Sequence, residues 1–134
     1  MRLTSKFLSA ASAGVVSLLI ATASFAAEIK PFETAAFEAA QKGGRPIVVD
    51  IAASWCPTCK AQKPIIQSLA ADPAYSEMIV FEVDFDSQKD VVRSLNARMQ
   101  STLIAYDGGT ETGRSVGDTK PESIGALFAS ALGN

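Results

Sequence analysis

Residues 46–60 read Pro-Ile-Val-Val-Asp-Ile-Ala-Ala-Ser-Trp-Cys-Pro-Thr-Cys-Lys. The first half is almost continuously apolar, as expected of a central strand covered on both faces. The second half predicts a turn into a helix that starts close to Cys56, with Cys59 one turn further on. Pro57 suits the first helical turn, where its missing N–H costs nothing. Helical character continues over Cys59–Ala71, with Ile65, Ile66 and Leu69 on one side. Pro64 lies in the interior, where it removes a hydrogen bond and predicts a kink.

Working outward from this unit, Ala27–Phe32 reads as a short edge strand, a placement that Pro31 tolerates. Glu33–Lys42 reads as a helix ended by Gly43 and Gly44. Downstream, Met78–Phe85 is a second apolar strand. Ser87–Ala97 follows as a helix with Ser87 as N-cap and Val91, Val92 and Leu95 inward. Thr102–Tyr106 and Glu111–Val116 form a hairpin around a turn at Asp107, Gly108 and Gly109. Pro121–Leu132 closes the chain as a helix, with Ile124, Leu127, Phe128 and Ala131 at helical spacing. This order predicts an α/β fold, a central mixed sheet with helices on both faces.

The N-terminal stretch reads differently. Arg2 and Lys6 precede an uncharged run from Phe7 to Ile20, and small residues Ser24 and Ala26 then stand at the −3 and −1 positions of a cut before Ala27. Basic, apolar and small-residue regions in that order describe a secretory signal peptide over 1–26. The apolar run falls short of the roughly 20 residues that a spanning helix needs. The expected mature domain is therefore 27–134, exported to the periplasm with the leader removed after Ala26. The whole chain carries a formal charge of −2, and losing Arg2 and Lys6 makes it more acidic. Scattered lysines and arginines on an acidic domain argue against nucleic acid as a partner.

The chain has two cysteines and no histidine. A bridge across so short a loop constrains the unfolded chain little, so the pair suits electron exchange better than stapling. At a helix N-terminus, free N–H groups and the dipole favour a thiolate at Cys56. Cys59, deeper and more buried, would resolve the mixed disulfide. The rival reading, half of a zinc site, lacks the remaining ligands that tetrahedral zinc requires. No metal site is therefore assigned.

The chain resembles the thioredoxin family over roughly residues 45–132. The resemblance rests on Asp50 six residues before Cys56, Trp55 before the first cysteine, Pro64 in the active-site helix, the run Glu82-Val83-Asp84-Phe85-Asp86, and the hairpin from Thr102 to Gly117. It implies the thioredoxin-like fold and thiol–disulfide oxidoreductase activity with no cofactor beyond a Cys56–Cys59 disulfide. It further implies Asp50 as a catalytic proton acceptor, and contacts to substrate from Trp55, Pro57, Thr58, Ser101 and Thr102. Three positions depart from the family pattern. Ser101 stands where a cis-proline is usual, Glu82 replaces a lysine that partners the buried acid, and Ala52 replaces a second tryptophan.

Because Val48, Val49, Ile51 and Ala52 around Asp50 read as core, desolvation should raise its pKa, with Glu82 adding to the rise and offering a further proton-relay position. Ser101 is expected to keep a cis or strained bond and to open the face beside Cys56. The resemblance points to a monomer that reduces protein disulfides, taking electrons from a membrane thiol reductant. An oxidase or isomerase is the alternative within the same chemistry, because direction follows the reduction potential. A soft-metal or iron–sulfur binding module using the same thiols is the alternative outside it.

Overall fold

The apolar run becomes β2 (Pro46–Ala52), the middle strand of a five-stranded sheet in this computed structural model, which describes residues 25–133. The expected leader lies outside those residues except for Phe25 and Ala26. On one side β2 pairs in parallel with β3 (Ile79–Asp84), which pairs in parallel with the edge strand β1 (Glu28–Pro31). On the other side β2 pairs antiparallel with β4 (Thr102–Asp107), which closes a hairpin with β5 (Thr110–Val116). The spatial order is β1-β3-β2-β4-β5, a mixed sheet. At the hairpin turn Gly108 takes φ +56°, and a Cβ there would sit 3.2 Å from the Gly44 Cα. A side chain would meet both backbone strain and crowding at that position.

Helices cover both faces, and the pleat of β2 sorts its side chains between them. Ile47, Val49 and Ile51 pack with Phe37 and Ala40 of α1 (Thr34–Lys42) and Val92 of α3 (Lys89–Ser94). Phe81 meets Phe32 and Phe37 edge-on, with ring centroids 5.7 and 5.8 Å apart, and Tyr106 meets Phe37 at 5.4 Å. Such edge contacts add about 0.5–1.5 kcal/mol each beyond the area they bury. Val48 faces the other way, into a cluster with Val80, Leu103, Ile66 and Ala70 of α2 (Pro57–Ala70), and Ile124 and Phe128 of α4 (Pro121–Ser130). The helix α2 runs on through Pro64 to Ala70. Among the described residues no helix is long and apolar enough to cross a membrane.

One element differs in extent and capping from the sequence expectation. The third helix starts at Lys89 with Gln88 in the capping position and no side-chain cap, so Ser87 is not its N-cap. The Asp84 carboxylate accepts hydrogen bonds from the N–H groups of Asp86 and Ser87, at 3.0 and 2.8 Å. The Gln88 side chain turns back to the Asp84 N–H and to the Phe32 carbonyl. Residues 85–88 therefore form a turn fastened to the ends of β3 and β1, and the helix begins only beyond it.

Candidate active site

Cys56 occupies the N-cap of α2 in an extended conformation, and its Sγ accepts the backbone N–H of Cys59 at 3.0 Å. Its own N–H donates to the Ala53 carbonyl, fixing the turn that leaves β2. Pro57 fills the first helical position. This local sequence therefore aims orphan N–H groups of a helix start at the first sulfur, which favours negative charge there. Cys56 and Cys59 form a disulfide with their Cα atoms 5.3 Å apart. The expected difference in depth is not seen, since Cys56 is 4% exposed and Cys59 7%. In the disulfide state both cysteines pack against Ala53, with Ala52 and Phe85 beside them.

Asp50 sits two residues before the end of β2 and faces the α2 side, like Val48. It is buried, and its Oδ1 has no hydrogen-bond partner. Its pKa is raised from 3.8 to about 6, chiefly by burial and then by the nearby Glu82 carboxylate, with Lys63 opposing both. Glu82 is the register partner of Asp50 across the β2–β3 pair and is exposed at the groove's edge. Asp50, Glu82, Cys56 and Cys59 together line a groove of about 440 Å³, shared with Ala52, Lys60 and Lys63. A half-buried alanine at position 52 leaves this groove open beside the sulfurs. A carboxyl with a pKa of about 6 takes up and releases a proton near neutrality, which a chain without histidine needs from some other group.

Around the disulfide, Trp55 is exposed, and its indole N–H donates to Asp86 at 2.7 Å, so the ring is held over the loop. Pro57 is exposed and Thr58 half-buried. Ser101 and Thr102 are placed differently from expectation. Both are buried and neither lines the groove. The Ser101 hydroxyl donates to the Gln100 carbonyl and the Thr102 hydroxyl to the Met99 carbonyl. The serine thus offers no free hydroxyl to the face beside Cys56, because its own turn consumes it. No cis peptide bond occurs among the described residues; instead Ser101 has φ +57°, the left-handed region. The cis bond expected before Ser101 is therefore absent; the peptide is trans, and the unusual geometry lies in the positive φ of Ser101.

Two residues escaped the sequence reading. Lys63 stands four positions after Cys59 on α2, so helical spacing alone puts it above the same face. Gln62 is fully buried on the stripe of Cys59, Ile66 and Ala70, where an apolar residue is the ordinary choice. No group of three or more histidine, cysteine or acidic side chains placed to hold a metal occurs among the described residues.

Residues 28–130 match the family model described as Thioredoxin, from the first residue of β1 to the last of α4. Thioredoxin-2 of Saccharomyces cerevisiae is 36% identical over 88 residues, which is 66% of this chain and 82% of the yeast protein. The crystal structure of Trxlp from Edwardsiella tarda is 40% identical with a TM-score of 0.73, covering 75% of this chain and 98% of that one. The crystal structure of Malassezia sympodialis thioredoxin, 21% identical with a TM-score of 0.69, shares the fold over 79% of this chain and 91% of its own. Proteins of this family act on protein disulfides and need no cofactor, because the redox group is their own disulfide. The match spans every strand and helix described above and includes the loop that carries Cys56 and Cys59, so the chain belongs to the thioredoxin family and is a thiol–disulfide oxidoreductase.

Proposed function

We propose that this chain is exported to the periplasm, reduces protein disulfides there, and is recharged by a membrane thiol reductant. The observation that carries the chemistry is the buried carboxyl of Asp50 in the same groove as the disulfide. In the reduced protein, the Cys56 thiolate attacks one sulfur of a substrate disulfide. A bond forms between Cys56 and that sulfur, and the other substrate sulfur leaves as a thiolate. Asp50 then takes the Cys59 proton, and the Cys59 thiolate attacks the Cys56 sulfur and expels the second substrate thiolate. Two electrons pass to the substrate, and the protein is left with its own disulfide.

The acidic groove supports the reducing direction. A dithiol becomes a strong oxidant when its thiolate is heavily stabilised. Here the Cys56 sulfur receives a backbone N–H from Cys59, while Asp50 and Glu82 on the groove wall oppose negative charge on sulfur. Lys60 and Lys63 line the same groove and act in the opposite sense. Support for export is the basic, apolar and small-residue order over 1–26, and an exported reductase without direct access to cytosolic NADPH needs electrons delivered through the membrane.

The test uses the full chain expressed in a Gram-negative host. The mature protein should be recovered from the periplasmic fraction with Ala27 at its N-terminus, and its potential should lie near the about −270 mV typical of thioredoxin. Cys59→Ser should accumulate a mixed disulfide on Cys56. A retained leader in the cytosol would overturn the export reading. A potential near about −120 mV, the range of a strong oxidant, would overturn the reducing direction.

A further inference from the structure

We propose that Gln62 is a positioning residue for substrate capture, holding the Ser101 turn in the shape that a protein disulfide meets beside Cys56. The proposal rests on the reading of this chain as a reductase of protein disulfides. Gln62 lies three residues beyond Cys59, on the buried face of the same helix. Its amide N–H₂ donates to the Ser101 carbonyl at 3.3 Å and to the Asp118 carbonyl at 2.8 Å. These carbonyls stand at the two ends of the β4–β5 hairpin, one just before β4 and one just after β5. A third bond, from the Gly117 N–H to the Ser101 carbonyl at 2.9 Å, closes the same base. One side chain therefore fastens the hairpin base to the cysteine helix, one turn from the disulfide.

Ser101 gives that fastening its purpose. At φ +57° it occupies a region that L-residues with a Cβ avoid, so the turn persists only while its surroundings hold it. The Gln62 and Gly117 donors on its carbonyl hold it together with the bonds that the Ser101 and Thr102 hydroxyls make within the turn. Exposed apolar residues stand beside the turn and beside Cys56. Met99 precedes Ser101 by two residues and is 51% exposed, Val116 pairs with Thr102 and is 55% exposed, and Trp55 adjoins Cys56 and is 58% exposed. Met99 and Val116 border one shallow pocket beside the turn, and exposed apolar residues grouped in this way mark a surface that meets a protein partner.

Gln62 is also a poor choice for stability alone. Its Oε1 is buried without a hydrogen-bond partner, a burden that an apolar side chain of similar length would not carry. Fold and function should accordingly respond in opposite senses when it is replaced.

The experiment measures steady-state reduction of insulin by the full chain with dithiothreitol as electron source, alongside thermal unfolding and the reduction potential. Gln62→Met should keep or raise the unfolding midpoint, raise KM for insulin at least fivefold, and leave kcat within twofold. Adding Ser101→Gly, which removes the cost of positive φ, should recover at least half of the KM change on a logarithmic scale. Gln62→Leu, which also removes both donors without burying a charge, serves the same purpose if the methionine variant does not fold. An unchanged KM in a folded variant overturns the proposal, as does a lower midpoint with KM and kcat falling together. If the parent itself does not reduce insulin, the reductase reading fails first, and that outcome is distinguishable because it needs no variant.

Discussion

On the face covered by α1 and α3, the sheet buries Phe32, Phe37, Phe81 and Tyr106 in a cluster with no carboxylate or amide. On the face covered by α2 and α4, the same strands bury Asp50, and α2 brings Gln62 and the disulfide down onto them. The first face is arranged for stability: aromatic and aliphatic side chains in close contact, with aromatic rings meeting edge to face. The second carries Asp50 Oδ1 and Gln62 Oε1, both buried without partners. Such atoms cost free energy, and they gather at the end of β2 where the chain passes into the disulfide loop. The contrast separates what holds the protein together from what it spends on chemistry.

The comparison is tested most severely by a cavity on the stable face. Phe81→Ala should cost about 3–5 kcal/mol, the usual range for a large aromatic lost from a core, and should leave the potential of the disulfide unchanged. Chemical denaturation and redox titration of the same variant check both halves. A shifted potential would mean that the two faces are not independent.

Asp50→Asn probes the other face. Because the folded carboxyl titrates at about 6 instead of 3.8, the folded state binds more protons than the unfolded chain between those values. Stability therefore falls as pH rises through that window, and the penalty is complete above it. At about 1.4 kcal/mol per unit the penalty approaches about 3 kcal/mol. The asparagine variant should be more stable than the parent by up to that amount at pH 7.5 and equal to it near pH 3.5. Urea melts at the two pH values decide the matter; an equal gain at both would trace the effect to packing instead of charge.

The smallest effects are expected at Ser101. Proline fixes φ near −65° and cannot adopt the observed +57°. Ser101→Pro should cost more than about 1 kcal/mol unless the turn is rebuilt, the reverse of what a restored family residue would suggest. Ser101→Gly should gain about 1 kcal/mol by removing the left-handed penalty. Thermal unfolding of the two variants against the parent reads both signs.

Much of this was legible in the chain because it is local. The run at 46–52 shows its burial through continuous apolar residues, and Pro57 and the cysteine spacing announce the helix start. Asp50 stood out because its neighbours left no room for a solvated acid. The third helix was misjudged at its start because Asp84, three residues before Ser87, captured the N–H groups that define the turn. Lys63 and Gln62 were readable only by counting three and four residues on from Cys59 once α2 was placed. The sign of φ at Ser101 was not readable at all, since it is set by Gln62 and Gly117, which are 39 and 16 residues away in sequence.

The proposed role of Asp50 as the proton acceptor for Cys59 is open to direct measurement. Single-turnover oxidation of the reduced full chain by excess insulin, followed by tryptophan fluorescence from pH 5 to 8, isolates the exchange. The parent rate should rise through a break near pH 6, where Asp50 ionises, and the Asp50→Asn variant should lose that break and run at least tenfold slower at pH 7. Identical profiles for the two proteins would contradict the claim and leave Asp50 as a buried acid with no part in the reaction.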